Sequence, residues 1–363
     1  MNIGLIIYGT LDALTGGNIY DRILVDDLRQ RGHQVAIITL SQRNYAGHLL
    51  ENFSGRLVKK SAAGKFDLLL QDALCHPSLF RLNRRLRQNA FAPLVAVVHQ
   101  VLCRQPRSRL QNRIYETVER AYFESVDAFI FNSNTTARTV AHLTGDRRPS
   151  LVACPAGDRL GFLTAAAKID SRTRESGPLR LIFVGNLLPN KGLLPLIRGL
   201  SKLPRESWHL TVVGSLEMDR RYFRRTAKLI AAGNLQQQVA LAGPQNGPAL
   251  ASLLARSHVF VMPYSHESYG MAHLEAMGFG LPVIGSASGA VKEFVIPGKN
   301  GFLIDPGDLA ALLDCLKRLD RDRPLLLKMS RAALQTFHEH PSWSDTLERI
   351  YWFLCELVNK RAV

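Results

Sequence analysis

Short apolar runs, each followed by a loop and a helical repeat of apolar residues, recur along this chain and begin afresh near residue 179. Residues 3–8 read as a buried strand, and a glycine-bearing loop follows over 9–17. Ile19, Ile23, Leu24 and Leu28 then recur at helical spacing up to Arg31, and Gly32 ends that helix. Residues 35–40 form the next strand. A β-loop-α-β unit of this kind builds a parallel sheet. The runs 68–70, 94–98 and 128–131 have the length of strands buried on both faces. The stretch 165–178 is polar and alanine-rich and reads as a linker. The series restarts at 179–184 and continues at 209–213, 239–242, 258–262 and 282–284. The expectation is an α/β protein with two doubly wound parallel-sheet domains, residues 1–168 and 176–342, and an apolar-rich helix from Trp343.

The chain's 363 residues suit two cores of ordinary size. With 46% hydrophobic and 21% charged residues, the composition excludes a disordered chain. No short-period repeat supports a solenoid or propeller. No apolar run approaches the roughly 18 residues of a membrane-spanning helix. The opening strand lacks a basic leader and a cleavage site, so it is not read as a signal peptide. Five scattered cysteines without a CxxC pair suit reduced thiols in the cytoplasm. The net charge of +16 implies an anionic partner: nucleic acid, anionic lipid or a phosphorylated small molecule. Nucleic acid is not expected, because aromatics are not interleaved with the basic residues and no helix-turn-helix, zinc-finger or RNP signature is present.

Ligands of open α/β sheets bind outside the carboxyl ends of the strands, so the residues just after strands are the candidates. Gly16-Gly17 precedes the first helix. Adjacent glycines let backbone N–H groups approach an anion, or simply allow a tight turn with positive φ. Their spacing is not GxGxxG, so a conventional NAD site is unsupported. His99 follows the strand 94–98, and by itself reads as a hydrogen-bonded structural histidine. Gly185-Asn186 and Lys191-Gly192 flank a loop whose lysine either meets a diphosphate or is a solvated surface lysine. In the segment from His266 to Gly278, Glu267 sits in a loop and Glu275 lies two turns into the next helix. Gly270 marks that helix start, where free N–H groups hold a phosphate. A carboxylate suits sugar hydroxyls, but spacing alone leaves two unrelated surface glutamates as the alternative.

The stretch Glu267 to Glu275 resembles the EX7E motif of family 4 of the retaining nucleotide-sugar glycosyltransferases, which have the GT-B fold. In order along the chain, residues 183–192 resemble that family's GRLxxxKG loop, 210–214 its LxxxG strand end, and 282–285 and 298–303 its PVI and GxNGFL segments. The resemblance implies two Rossmann-like domains facing a central cleft, with the final helix, 343–363, packing back on the first. It implies that Lys191 binds the donor diphosphate, Glu267 the hydroxyls of the transferred sugar and Glu275 the ribose. Backbone N–H groups around Gly270, Met271 and Ala272 would hold the phosphates, and Gly185 and Asn186 would line the donor loop. Gly16 and Gly17 would approach the phosphates from the other domain. His99 matches the family's histidine near the reacting sugar. The implied catalytic set is thus His99, Lys191 and Glu267. The family's arginine two positions before the LxxxK run is replaced by Asn186, so one cation on the diphosphate is missing. No cofactor and no metal are expected, the nucleotide-sugar being a substrate. UDP-hexose is the favoured donor, with GDP-mannose as an alternative.

Between Asp72 and Glu116 there is no acidic residue, yet there are eight arginines. Arg81, Arg84, Arg85 and Arg87 accompany Leu79, Leu82 and Leu86, which recur at helical spacing. This is the pattern of an interfacial helix on an anionic membrane, or of a core-packed helix with a solvated basic face. The first reading makes the protein a peripheral enzyme on the cytoplasmic membrane face, acting on a lipid or lipid-linked glycan. A soluble anionic acceptor, such as a sugar phosphate or polysaccharide, is the alternative. A catalytically inactive GT-B binding protein is a third reading.

Overall fold

The computed structural model describes residues 1–13, 15–53, 65–88, 92–105, 107–145, 148–161, 166–263 and 267–362. The chain forms two compact units, Met1–Pro155 with Ser344–Val363, and Ala156–Trp343. Each is built on a six-stranded parallel sheet, as the repeated β-loop-α-β pattern requires.

In the first unit, β1 (Asn2–Tyr8) leads through α1 (Gly16–Gln30) to β2 (Gln34–Leu40). α2 (Tyr45–Glu51) precedes β3 (Leu68–Asp72). α3 (His76–Leu79) and α4 (Leu82–Gln88) precede β4 (Leu94–Val98). α5 (Arg109–Phe123), β5 (Ala128–Phe131), α6 (Asn134–Thr144) and β6 (Ser150–Val152) follow. The strand order is β2-β1-β3-β4-β5-β6, so the chain switches direction across the sheet at β1. Every residue of β3, β4 and β5 is buried, which explains their unbroken apolar runs. There are two polar exceptions, both in β3: Gln71 exchanges hydrogen bonds of 2.8 and 3.1 Å with Asn83, and Asp72 at the strand end accepts from Leu74 N at 2.9 Å.

The second unit runs α7 (Ala166–Arg174), β7 (Leu179–Val184), α8 (Leu193–Leu200), β8 (Trp208–Val213), α9 (Arg220–Ala232) and β9 (Val239–Gly243). It continues with α10 (Gly247–Arg256), β10 (Val259–Val261), α11 (Met271–Gly278), β11 (Val283–Ser286), β12 (Gly301–Ile304), α12 (Leu309–Arg321) and α13 (Arg323–Glu339). The order β12-β11-β10-β7-β8-β9 puts its switch point between β7 and β10. The loops leaving those two strands carry Lys191 and Glu267, so topology alone brings them together.

The stretch read as a linker, 165–178, is in fact largely α7. Its polar composition misled because two of its polar residues, Arg172 and Thr173, are buried. Arg172 is buried and donates to the carbonyls of Ala255, Phe279 and Gly280 at 2.9–3.0 Å. Ile169 is also buried, beneath Gly280, where a Cβ would come within 2.2 Å of it. The second unit therefore starts at Ala156, earlier than the expected residue 176, and the first ends before the expected residue 168. The last helix, α14 (Trp343–Ala362), contributes residues 344–363 to the first unit. There Thr346 donates to the Cys154 carbonyl at 2.8 Å and Arg349 to that of Val152 at 3.0 Å.

Candidate functional site

In the second unit the loop after β7 closes on the segment after β10. Pro189–Lys191 forms one 3-10 turn, and Gly192 ends it with φ +78°. A Cβ on Gly192 would lie 2.2 Å from the Pro263 carbonyl oxygen, so only glycine lets the two loops meet. Lys191 at the end of that turn forms an ion pair with Glu267, both side chains being mostly buried. The Glu267 backbone is fixed in turn. It bridges Gly289 in parallel, and its carbonyl accepts from Ala290 N at 3.3 Å. A Cβ on Gly289 would collide with that carbonyl at 2.0 Å. His266, adjacent in the motif, lies outside the described residues.

Three residues further on, Gly270 caps α11 with φ +101°. A side chain there would meet Val291 at 2.5 Å as well as strain the backbone. Gly270, Met271 and Ala272 thus present the open N-terminal turn of α11 beside Lys191 and Glu267, where a helix favours anions. His273, buried in that turn, is pulled down to about 3 by burial, Glu267 opposing and Lys191 assisting. It enters the site as a neutral ring.

Glu275 is 2% exposed. Arg159 grips it with a fork, Nε to Oε1 at 2.5 Å and Nη2 to Oε2 at 3.1 Å. Burial raises the Glu275 carboxyl, and Arg159 opposes that rise. A cavity of about 310 Å³ lies against Glu275, walled by Gly157, Phe337 and His340 among others. Arg159 was not anticipated. Its partner is 116 residues away in sequence, so no local pattern marks it.

Gly185 and Asn186 prove to be braces. Asn186 Oδ1 accepts from Ser215 N at 3.0 Å, tying the β7 loop to the end of β8. Gly214 packs on the Gly185 carbonyl, where a Cβ would sit 2.1 Å away. The side chain that stands where the resembled family has arginine is therefore used to shape the loop.

In the first unit, Gly16 and Gly17 are the first two residues of α1, capped by the Thr15 hydroxyl accepting from Asn18 N at 3.3 Å. Neither has positive φ, so the tight-turn reading is corrected. Gly17 is small because His99 lies on it: a Cβ would be 3.1 Å from His99 Cδ2. His99 is buried, with Nε2 2.8 Å from Asp21 Oδ1 and its carbonyl accepting from Asn132 at 2.7 Å. Burial would lower its pKa, but Asp21 and then Asp72 outweigh burial and hold it up at about 9. His99 is an imidazolium at neutral pH. Asp72 is itself raised to about 6 by burial, with His99 opposing and Asp21 adding to the rise. Asp21 was missed, although it shares the apolar stripe of α1 with Leu24, Val25 and Leu28. A carboxylate on a buried stripe was the available signal.

The arginine-rich segment needs correction. Leu79, Leu82 and Leu86 are at most 1% exposed and belong to the core of the first unit, so they form no lipid-facing stripe. Arg81, Arg84, Arg85 and Arg87 are exposed. Arg81 stacks over Phe53 at 5.6 Å, and Arg87 pairs with Asp127 and donates to the Val126 carbonyl at 3.1 Å. Exposed large apolar residues described in this unit are Leu50, Phe53, Leu110, Ile114 and, on the last helix, Trp352. Among the described residues, no helix is long and apolar enough to cross a membrane.

Residues 166–336 match the family described as glycosyl transferases group 1. The chain is 26% identical over 266 residues to a D-inositol 3-phosphate glycosyltransferase of Pseudarthrobacter chlorophenolicus. That match takes in 70% of this chain and 63% of the relative, less than two thirds of the latter's length. In fold it is similar to a sucrose-phosphate synthase of Thermosynechococcus elongatus, with TM-score 0.84 and 21% identity over 99% of this chain and all of that one. It is likewise similar to Anabaena HepE in complex with UDP-glucose, with TM-score 0.78 and 18% identity over 98% of this chain and 100% of that one. The resemblance and the GT-B fold expected from the motifs are both borne out.

Proposed function

We propose that this protein, whose residues 166–336 match the glycosyl transferases group 1 family, transfers a hexose from a nucleotide-sugar, UDP-hexose favoured, with retention of configuration and without a metal ion. The observation that carries this reading is the meeting of Lys191, Glu267 and the N-terminus of α11 at the switch point of the second sheet. The reaction's main task is to stabilise negative charge on a departing nucleoside diphosphate. Lys191 and the N–H groups from Gly270 to Ala272 supply that stabilisation. Their ion pair holds Lys191 and Glu267 in place until phosphate and sugar hydroxyls take up the two charges separately. Glu275 accepts from the ribose. Glu267 is not assigned as a nucleophile, because the resembled family gives the two glutamates different parts of the donor. The acceptor attacks on the face the phosphate leaves, and the phosphate oxygen takes its proton. UDP-glucose in the complex of the similar Anabaena protein supports the choice of donor.

On the acceptor side, the exposed arginines of α4 and the pairs Arg109–Arg113 and Leu110–Ile114 along α5 favour an acceptor presented at an anionic membrane surface. A phosphorylated soluble acceptor is the second reading, favoured by the name of the inositol phosphate relative.

The test is release of nucleoside diphosphate from a panel of UDP-, GDP- and ADP-sugars, with and without anionic liposomes containing diacylglycerol. Release from one donor, lowered about 10²–10³-fold in Glu267→Ala, is expected if a transition-state contact is lost. Stimulation by liposomes supports the lipid acceptor, and indifference to them supports the soluble one. No release from any donor overturns the proposal.

A further inference from the structure

The fork of Arg159 on Glu275 is bidentate and largely buried, and nothing in the resembled motif accounts for it. It is also held from behind. Asp158 accepts from Trp343 N at 3.2 and 3.4 Å, which pins the residue next to Arg159. Phe337 fills the space left by two glycines. A Cβ on Gly157 would meet its ring at 2.9 Å, and one on Gly278 at 2.8 Å. Gly157 precedes the arginine by two residues and Gly278 follows the glutamate by three. The ring thus seats the loop on α11, and the guanidinium reaches Glu275 from a fixed base.

A carboxylate offers about four lone-pair positions. The fork uses one on each oxygen and leaves one on each. Two free acceptors in a fixed plane match the two hydroxyls of a vicinal diol. A carboxyl this deeply buried would otherwise tend toward its neutral form, which accepts such bonds poorly.

We propose that Arg159 is a positioning residue for the donor: it keeps Glu275 ionised and fixes its plane, so that the remaining lone pairs receive the diol of the nucleotide ribose. This rests on the assignment of Glu275 to the ribose. Arg159 need not leave when the nucleotide binds, since the two partners use different lone pairs.

The charged and titratable groups around Glu275 are few. Asp158, His338 and His340 line the cavity beside it, and His273 lies on its own helix. His340 and His273 are both lowered by burial, which favours their neutral rings. Arg159 is the cation in direct contact. Losing it removes the one influence that opposes burial and raises the Glu275 carboxyl further, so nucleotide binding should fail first at low pH and recover as pH rises.

The test is calorimetric binding of UDP, GDP and ADP to the full chain between pH 5.5 and 9, each variant read as a ratio to the wild type. This cancels titration of the nucleotide itself. Arg159→Met should weaken binding about tenfold at pH 6, with the ratio returning toward one by pH 9, because loss of the adjacent cation favours the neutral carboxyl at the acid end alone. Arg159→Lys, which keeps the charge and loses the fork, should weaken binding less and show little pH trend. Glu275→Gln should weaken binding at every pH, and adding Arg159→Met to it should change nothing further. A ratio for Arg159→Met that is flat in pH, or equal to one, overturns the positioning role while leaving the ribose assignment intact. Glu275→Gln binding like the wild type overturns that assignment itself, as does failure of all three nucleotides to bind the wild type. If Arg159→Met does not fold, the Arg159→Lys ratio decides. Equality with the wild type then counts against the fork.

Discussion

At the scale of single residues, the second unit's site was legible because its parts lie in one short stretch or in loops fixed by strand ends. Lys191, Glu267, Gly270 and Glu275 are local features, and the sheet order joins them. Arg159 was not legible, because its partner lies 116 residues away, and Asp21 showed only as a carboxylate on a buried stripe, its partner lying 78 residues away. Asp21 makes a pH prediction. His99 is raised to about 9 in the folded chain against an ordinary 6.5. A raised histidine contributes stability that is complete below pH 6.5 and is lost as pH rises through about 9. Asp72 acts over a different window: raised from 3.8 to about 6, it penalises folding as pH climbs through that range. The melting temperature of the first unit should therefore fall between pH 6.5 and 9. Asp21→Asn should lower the melting temperature at pH 6 and flatten that fall, since it removes the carboxylate that holds the imidazolium. Thermal melts across pH 6 to 9.5 measure both, and an unchanged slope in the variant would count against the pair.

At the scale of elements, buried strands announced themselves, because parallel strands covered on both faces are unbroken apolar runs. β4, β5 and β7 fall at the residues expected. Elements whose inward face is polar did not announce themselves, and α7 was read as a linker because Arg172 and Thr173 are buried by donating to carbonyls. α4 failed in the opposite sense. An apolar stripe with an arginine flank fits a core helix and a membrane helix equally, and only the packing of Leu82 and Leu86 in the core of the first unit decides. That decision is testable. Leu86→Ala, at a fully buried position, should destabilise the first unit by about 2–5 kcal/mol. Arg84→Glu, at an exposed one, should change stability by no more than about 0.5 kcal/mol. Denaturant titrations of the two variants give the comparison. Near-equal midpoints would mean that the helix does not carry the core.

At the scale of the whole molecule, the charge of +16 remains larger than the proposed donor chemistry needs. On the proposed reading Lys191 serves the donor, and Arg159 is paired with Glu275, which leaves the exposed arginines of α4 and α5 in the first unit to be explained. A cation near an anionic leaflet contributes about 1 kcal/mol, and the contribution falls off within a Debye length. Several exposed arginines acting together are enough for reversible attachment, to which Leu110 and Ile114 add apolar area. The chain should therefore float with vesicles containing phosphatidylserine and not with neutral phosphatidylcholine vesicles. It should be released as salt rises toward 0.5 M. Arg84→Glu with Arg85→Glu should weaken flotation by about tenfold or more, since each reversal costs about two such contributions. Leu110→Ser with Ile114→Ser should weaken it without altering its salt dependence, because those residues carry no charge. Flotation indifferent to all four substitutions would place the contact on some other surface. Flotation absent from both kinds of vesicle would leave the charge to a soluble phosphorylated acceptor, and saturation kinetics with inositol phosphate would then be the measurement that replaces it.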